Sequence, residues 1–268
     1  MGGLEPPFLG EVADGVAWAT FNRPQALNAY SEPMRDLLLP FLREVEANPA
    51  VRCVVLRGAG GNFMAGGDVK SFTEHLAKPP LERQMTFEAL CHSMNPIIYV
   101  LRRMPKPVVA SVAGACAGLG FSFVLAADLA LAADNASFTF AYPKIGATPD
   151  GGASFFLPRT LGLKRAMEVA LFSDRIDAAG AERLGIVNRV VPAAELEAQT
   201  RDYVQRLARG ATQAYARTKE LISQAFSQDL EAQLQSEAVH FGACTRTADM
   251  IEGVTAFVEK RKPEFRNK

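Results

Sequence analysis

Two rhythms of apolar and polar positions run along this chain, one of strands and one of helices. Residues 12–22 read as two short strands folded about Asp14-Gly15, a pair suited to the left-handed φ of a hairpin turn. After Ser31, a residue type favoured at helix N-caps, Met34, Leu37, Leu38, Phe41, Leu42 and Val45 recur at helical spacing, with Pro40 expected to kink the helix. Residues 51–57 and 108–113 are nearly continuous apolar runs, the pattern of strands covered on both faces. Between them residues 68–103 read as helical, broken at Lys78-Pro79-Pro80. Residues 119–127 predict an apolar helix, and 128–133 and 137–140 predict short strands. Beyond Ala153 nearly everything is helical: 162–172, 178–184, then one strand at 187–191 and three or four helices over 193–260. The expected architecture is an α/β core over residues 1–192 and a helical region over residues 193–268.

Two glycine-rich turns punctuate this pattern. Phe63-Met64-Ala65-Gly66-Gly67-Asp68 follows the first buried strand, and Gly114-Ala115-Cys116-Ala117-Gly118-Leu119-Gly120 follows the second. Each leads into a helix. A strand–turn–helix unit leaves N–H groups unpaired at the helix start, where the helix dipole also favours negative charge. Two such units on adjacent strands can aim two N–H groups at one oxygen, which is the layout of an oxyanion hole. The donors on this reading are the N–H groups of Gly67 and Leu119, and one such donor is typically worth roughly 3–4 kcal/mol in a transition state. Taken singly, the same glycines equally serve tight turns and close helix–strand packing.

Composition removes several classes. The chain has 268 residues, 49% of them hydrophobic, enough for a sizeable core. Lys+Arg and Asp+Glu are both 29, so no charge excess points to nucleic acid or a membrane surface. The apolar runs are interrupted well short of a membrane-spanning length. Residues 1–10 are acidic and proline-containing, unlike a secretory signal. Cys53, Cys91, Cys116 and Cys244 are scattered without a CxxC pair, and only three His occur, which argues against a metal site or a disulfide frame. A cytoplasmic protein without a tightly bound cofactor is expected. Gly58-Ala59-Gly60-Gly61 looks like a phosphate loop but lacks the following Lys-Ser/Thr.

One carboxylate stands out. Asp150 sits between Pro149 and Gly151-Gly152, just before a helix. It is either an N-cap or a base facing an apolar pocket, and the aromatic neighbours Phe138, Phe140, Tyr142, Phe155 and Phe156 suit the pocket. Asp68 reads as a cap on the helix after the first turn. Cys91 and His92 are neighbours on a predicted helix and point apart, so they form no dyad, although His92 is a candidate for the pocket lining. Ser122 reads as a small packing residue. Met64, Phe72, Leu76 and Phe87 read as either an acyl tunnel or plain core.

Four segments together resemble the crotonase, or enoyl-CoA hydratase/isomerase, superfamily along nearly the whole chain. They are the two glycine turns, Asn22-Arg23-Pro24-Gln25-Ala26-Leu27-Asn28-Ala29, and Gly253-Val254-Thr255-Ala256-Phe257-Val258-Glu259-Lys260-Arg261-Lys262-Pro263. The resemblance implies a spiral of β-β-α units, a helical C-terminal trimerisation region, and a homotrimer or dimer of trimers. It implies an acyl-CoA thioester substrate, with coenzyme A present only as part of that substrate. The thioester oxygen falls on the N–H groups of Gly67 and Leu119. Ala26, Ala65, Gly66, Gly67 and Asp68 fall beside coenzyme A, and Phe257 and Lys260 match positions that reach coenzyme A on a neighbouring subunit. Met64, Phe72, Tyr142 and His92 fall near the acyl pocket.

Hydratases of the family use two glutamates, and the matching positions here are Ser122 and Tyr142. Asp150 matches the single acid of family isomerases, and its Asp-Gly-Gly context resembles ring-epoxide and enoyl-CoA isomerases. The resemblance therefore implies an enoyl-CoA isomerase with Asp150 as acid and base. A hydratase, hydrolase or ring-opening enzyme on the same thioester hole, or a weakly catalytic acyl-CoA binding protein, are the alternatives.

Overall fold

The computed structural model describes residues 5–268, so the first four residues of the acidic start lie outside it. Strands β1 (Phe8–Ala13) and β2 (Val16–Phe21) pair antiparallel about Asp14 and Gly15, whose φ values of 52° and 76° are those the hairpin requires. Helix α1 (Glu32–Ala47) buries Met34, Leu38, Leu42 and Val45, while Leu37 turns outward. Ser31 stands at its N-cap, but the side chain makes no capping bond. There follow β3 (Cys53–Gly58), α2 (Val69–Leu76) and α3 (Pro80–Arg103), with the helix break where the two prolines predict it. Next come β4 (Val108–Val112), β5 (Ala115–Ala117), α4 (Leu119–Ala126), β6 (Leu129–Ala133) and β7 (Ser137–Thr139). The remainder is α5 (Ala153–Leu161), α6 (Leu163–Phe172), β8 (Ile176–Asp177), α7 (Ala178–Arg183), β9 (Arg189–Val191), α8 (Leu196–Ala208), α9 (Thr212–Gln224), α10 (Leu230–Cys244) and α11 (Ala248–Val258).

The strands form a six-stranded sheet in the order β1-β2-β3-β4-β6-β9 and a three-stranded sheet in the order β5-β7-β8. From β2 onward the large sheet is parallel. Successive turns of the chain leave one strand in each sheet, β4 then β5 and β6 then β7, which makes the expected β-β-α spiral. The two strands with no counterpart in the sequence pattern, β5 and β8, span three and two residues, too few to show a period of two.

Alternation along the parallel strands divides the core. Ala17, Ala19, Phe21, Val54, Leu56, Val108, Ala110 and Val112 face one way, onto Met34, Leu38 and Leu42 of α1 and Met94, Ile97 and Leu101 of α3. Val16, Trp18, Cys53, Val55, Val109 and Leu131 face the other way, under Leu196, Val204 and Ala208 of α8. Helix α8 falls in the expected helical region, yet it covers the second face of the sheet. Its four-residue stripe Leu196, Thr200, Val204 and Ala208 is buried, and Thr200 Oγ1 lies 2.8 Å from Ser111 Oγ of β4. Helix α10 instead buries none of its residues, and Leu230, Leu234, Val239 and Phe241 are exposed. Among the described residues no helix is long and apolar enough to cross a membrane.

Candidate active site

The segment after β2 is built to hold the first glycine turn. Leu27 and Asn28 adopt left-handed φ values of 49° and 57°. The fully buried Asn28 accepts the Arg23 N–H at 2.8 Å and donates from Nδ2 to the carbonyls of Ala59 at 2.8 Å and Asn62 at 2.7 Å. Arg23 donates from Nη1 to Ala29 O at 2.7 Å and pairs through Nη2 with Asp68 Oδ2 at 2.8 Å. Tyr30 donates its N–H to Gly66 O at 2.8 Å and accepts the Asp68 N–H at 2.9 Å, bracketing Gly67. The Ala65 N–H is tied to Leu27 O at 3.0 Å. Asp68 stands at the N-cap of α2 without capping it through its side chain, contrary to expectation. Its carboxylate goes to the Arg23 guanidinium, a stronger partner than a neutral backbone N–H.

The second turn is held by burial and close approach. Met64 donates to Ala115 O at 3.1 Å and accepts from the Ala117 N–H at 2.9 Å, which zips the two turns together. Gly118 takes φ of 50° against Gly66, where an added Cβ would lie 3.5 Å from the Gly66 Cα. A Cβ on Gly120 would overlap the Met64 carbonyl oxygen. All eight residues of α4 are buried. Leu119 is its first residue, so its N–H has no partner within the helix. Among the described residues neither the Leu119 nor the Gly67 N–H has a hydrogen-bond partner. Both residues line one cavity of about 390 Å³, and Asp150 lines it with them.

Of the two roles open to Asp150, the structure excludes the cap. Gly152, with φ of 76°, holds the N-cap of α5, and the Asp150 carbonyl accepts the Ala153 N–H at 3.1 Å. The carboxylate accepts the Tyr142 hydroxyl on Oδ1 at 2.6 Å. That bond commits the only Tyr142 proton, so the Ser122 hydroxyl, 2.8 Å away, donates to the Tyr142 oxygen. Ser122 is thus a polar link behind Asp150 rather than a packing residue alone. Gly151 lets the chain pass close to α4: a Cβ there would lie 2.8 Å from Leu119 Cδ1 and 2.9 Å from Ser122 Cβ. Burial pushes the Asp150 carboxyl above the ordinary carboxylate range, and the Tyr142 bond draws it partly back. Burial and the Asp150 charge push the Tyr142 hydroxyl far up, which keeps it a donor.

The remaining predicted residues divide. Phe72 lines the cavity, edge-on to Phe87 with ring centroids 5.0 Å apart. Tyr142 reaches the site through Asp150. Met64 does not reach it: the side chain is wholly buried in the core beneath the turn. His92 is also misplaced, being exposed and off the cavity, while Phe87, Leu90, Cys91 and Met94 of α3 face it. One residue along a helix rotates the side chain by about 100°, enough to turn His92 away. His75 of α2 is the histidine that lines the cavity, and Leu76 beside it is exposed. Tyr30 lines it too; neither Tyr30 nor His75 carries a spacing signal that marks it in the sequence. Ala26, Ala65, Gly66 and Asp68 belong to the first turn and the segment that braces it. Phe257 is 85% exposed, and it and Lys260 lie at the end of α11, away from this cavity.

The chain as a whole has relatives in sequence and in fold. Residues 11–268 match the enoyl-CoA hydratase/isomerase family. The 1,2-epoxyphenylacetyl-CoA isomerase of Escherichia coli is 35% identical over 97% of this chain and 98% of its own. The short-chain-enoyl-CoA hydratase of Clostridium acetobutylicum is 32% identical over 94% of this chain and 95% of its own. The crystal structure of an enoyl-CoA hydratase from Polaromonas sp. JS666 superimposes with a TM-score of 0.90 at 33% identity, covering 97% of this chain and 99% of that one. Its relatives carry both names, but on sequence and fold alike the chain belongs to the enoyl-CoA hydratase/isomerase family.

Proposed function

We propose that this protein is an enoyl-CoA isomerase that shifts a carbon–carbon double bond in an acyl-CoA thioester, with Asp150 as its single acid and base. The thioester oxygen binds the free N–H groups of Gly67 and Leu119, which acidify the carbon beside the carbonyl. The Asp150 carboxylate, held through Oδ1 by the Tyr142 hydroxyl, takes a proton from that carbon of a 3-enoyl group. The electron pair moves into the thioester, and the resulting dienolate oxygen is held by the two donors. The protonated Asp150 then returns the same proton two carbons further on, giving the 2-enoyl product. A carboxyl raised by burial suits both halves, because it binds the proton readily enough to carry it and weakly enough to release it.

The carrying observation is the chain Ser122–Tyr142–Asp150. Hydration needs one group to activate water and another to deliver a proton. The two positions where hydratases carry acids here hold a serine and a tyrosine, and both hydroxyls are spent in orienting Asp150. We read Ala26, Ala65, Gly66 and Asp68 as the bed of the coenzyme A moiety. The exposure of Phe257 supports a contact, with Lys260, to coenzyme A on a neighbouring copy in a homotrimer or dimer of trimers.

A panel of 3-enoyl- and 2-enoyl-CoA thioesters tests the reading. Isomerisation of the 3-enoyl compounds should exceed hydration of the 2-enoyl compounds, and Asp150→Asn should cut isomerase kcat by roughly 10²–10⁴-fold. Faster hydration, or undiminished turnover by the variant, overturns it.

A further inference from the structure

Away from the Asp150 cavity, Arg165 of α6, Arg175 of the link between α6 and β8, and Arg183 of α7 line one open depression of about 810 Å³. All three are exposed, and among the described residues none of their guanidinium groups forms an ion pair, donates a hydrogen bond or lies over an aromatic ring. Other surface arginines are engaged: Arg201 with Glu197, Arg261 with Glu252 and Glu259, and Arg159 over the Phe155 ring. Three unpaired like charges brought together from three parts of the chain repel one another, and an anion between them removes that repulsion.

The local fold fixes the cluster. Ser173, at a φ of 56°, ends α6 and turns the chain back. Strand β8 then pairs with β7, Asp177 opposite Ser137 and Ile176 opposite Phe138, which anchors the backbone between Arg175 and Arg183. Among the described residues the only acid lining the depression is Asp177, and its Oδ1 is committed to the Gly180 N–H at 2.7 Å as the cap of α7. Gly180 is buried and presents bare backbone there: an added Cβ would lie 2.9 Å from Asp177 Oδ1 and 3.6 Å from Arg183 Nη2. The side chains of Ile176 and Leu184, half-buried and apolar, complete the lining and offer the arginines no acceptor.

Charge and shape select the ligand. Three arginines against one committed aspartate leave an excess of two positive charges. A guanidinium presents a planar fork of donors that matches two oxygens of a carboxylate or a phosphate. A carboxylate brings one charge and two oxygens, which a single fork exhausts. A terminal phosphate brings close to two charges and three acceptor oxygens, enough for three forks. We propose that Arg165, Arg175 and Arg183 form a binding site for a terminal phosphate dianion. No residue lining it also lines the Asp150 cavity, so the site is additional to the thioester site and stands or falls without the isomerase reading.

Pyrophosphate is the probe, titrated calorimetrically into the full chain at low salt. It should bind saturably with one equivalent per chain, and added salt should weaken it. Arg175→Gln and Arg183→Gln should each lower the affinity about tenfold or more, the loss of one charge-assisted contact. Arg246→Gln, which removes another exposed arginine outside the depression, should leave it unchanged. Circular dichroism checks that each variant is folded. Absence of saturable binding overturns the proposal, as does binding that outlasts both substitutions or falls equally with Arg246→Gln. Competition identifies the source of the phosphate. An acyl-CoA that displaces pyrophosphate, when its analogue lacking the ribose phosphate does not, assigns the site to the substrate's own phosphate; failure of both to displace it assigns the site to a separate small phosphate. Equal displacement by both contradicts the choice of a terminal phosphate.

Discussion

The two glycine turns offer the same thing, one free N–H each, but their donor ends are held by different means. The first is tied by polar side chains from elsewhere: Asn28 to the carbonyls of Ala59 and Asn62, and Arg23 to the Asp68 carboxylate. The second takes side-chain bonds at its start, where Asn135 Oδ1 and Asn62 Oδ1 accept the Gly114 and Ala115 N–H groups at 3.3 and 2.9 Å, but at its donor end it is locked by volume, in a helix with no exposed residue and with Gly120 pressed on the Met64 carbonyl. A polar clamp has defined partners and can be loosened one bond at a time. A packed turn has no slack, so a single added carbon moves everything. The pair teaches that a donor can be aimed either by charge and hydrogen bonds or by the absence of space.

Substitutions can break this contrast. The largest effect is expected from Gly120→Ala, since neither backbone can yield. It should displace the Leu119 donor and lower kcat by roughly 10²–10³-fold, with a stability loss of roughly 1–3 kcal/mol, read by steady-state kinetics and thermal unfolding. Asn28→Ala strips partners from one N–H and two carbonyls. A loss of roughly 1–3 kcal/mol is expected, visible as a Tm lower by several degrees; an unchanged Tm would show that the clamp carries no load. Tyr142→Phe keeps the ring and removes the bond that favours the Asp150 anion. The carboxyl then rises further, the base form is lost at a higher pH, and the acid limb of the kcat/KM profile moves upward. A downward move would contradict the assignment. The smallest effect is expected from Asp68→Asn, because the pair with Arg23 is 22% exposed on each side and such pairs are worth about 0–1 kcal/mol. Added salt should shrink the difference from the parent protein, whereas the Gly120→Ala deficit should not respond to salt.

The outline of the fold was legible in the sequence because β2, β3, β4 and β6 are nearly continuous apolar runs of five or six residues, largely buried, and because Asp14-Gly15 and the two glycine turns mark where strands end. Strand–turn–helix spacing also sufficed to pair Gly67 with Leu119, and the proline–glycine setting to single out Asp150. What was hidden depends on angular phase and on partner choice. His92 and Cys91 are adjacent in sequence, but only the latter faces the cavity, and no pattern on α3 fixes that phase. Met64 sits in the middle of a turn that meets the site, yet its side chain points into the core. Ser122, Tyr142 and Asp150 are joined by hydroxyl bonds across residues that no local rule links. Asp68 has the position of a cap and the partner of an ion pair, a choice made by Arg23 from 45 residues away.

The late arrival of α8 has a consequence for synthesis. Every side chain assigned here to the chemistry precedes residue 151, but the second face of the sheet beneath it is closed only by Leu196, Val204 and Ala208. A nascent chain that has just completed β9 still shows Trp18, Val55, Val109 and Leu131 to water. The ribosome must therefore release all 13 residues of α8, about three and a half turns of helix, before the platform under the site is watertight. Until that moment the emerging polypeptide offers a ready surface to a chaperone.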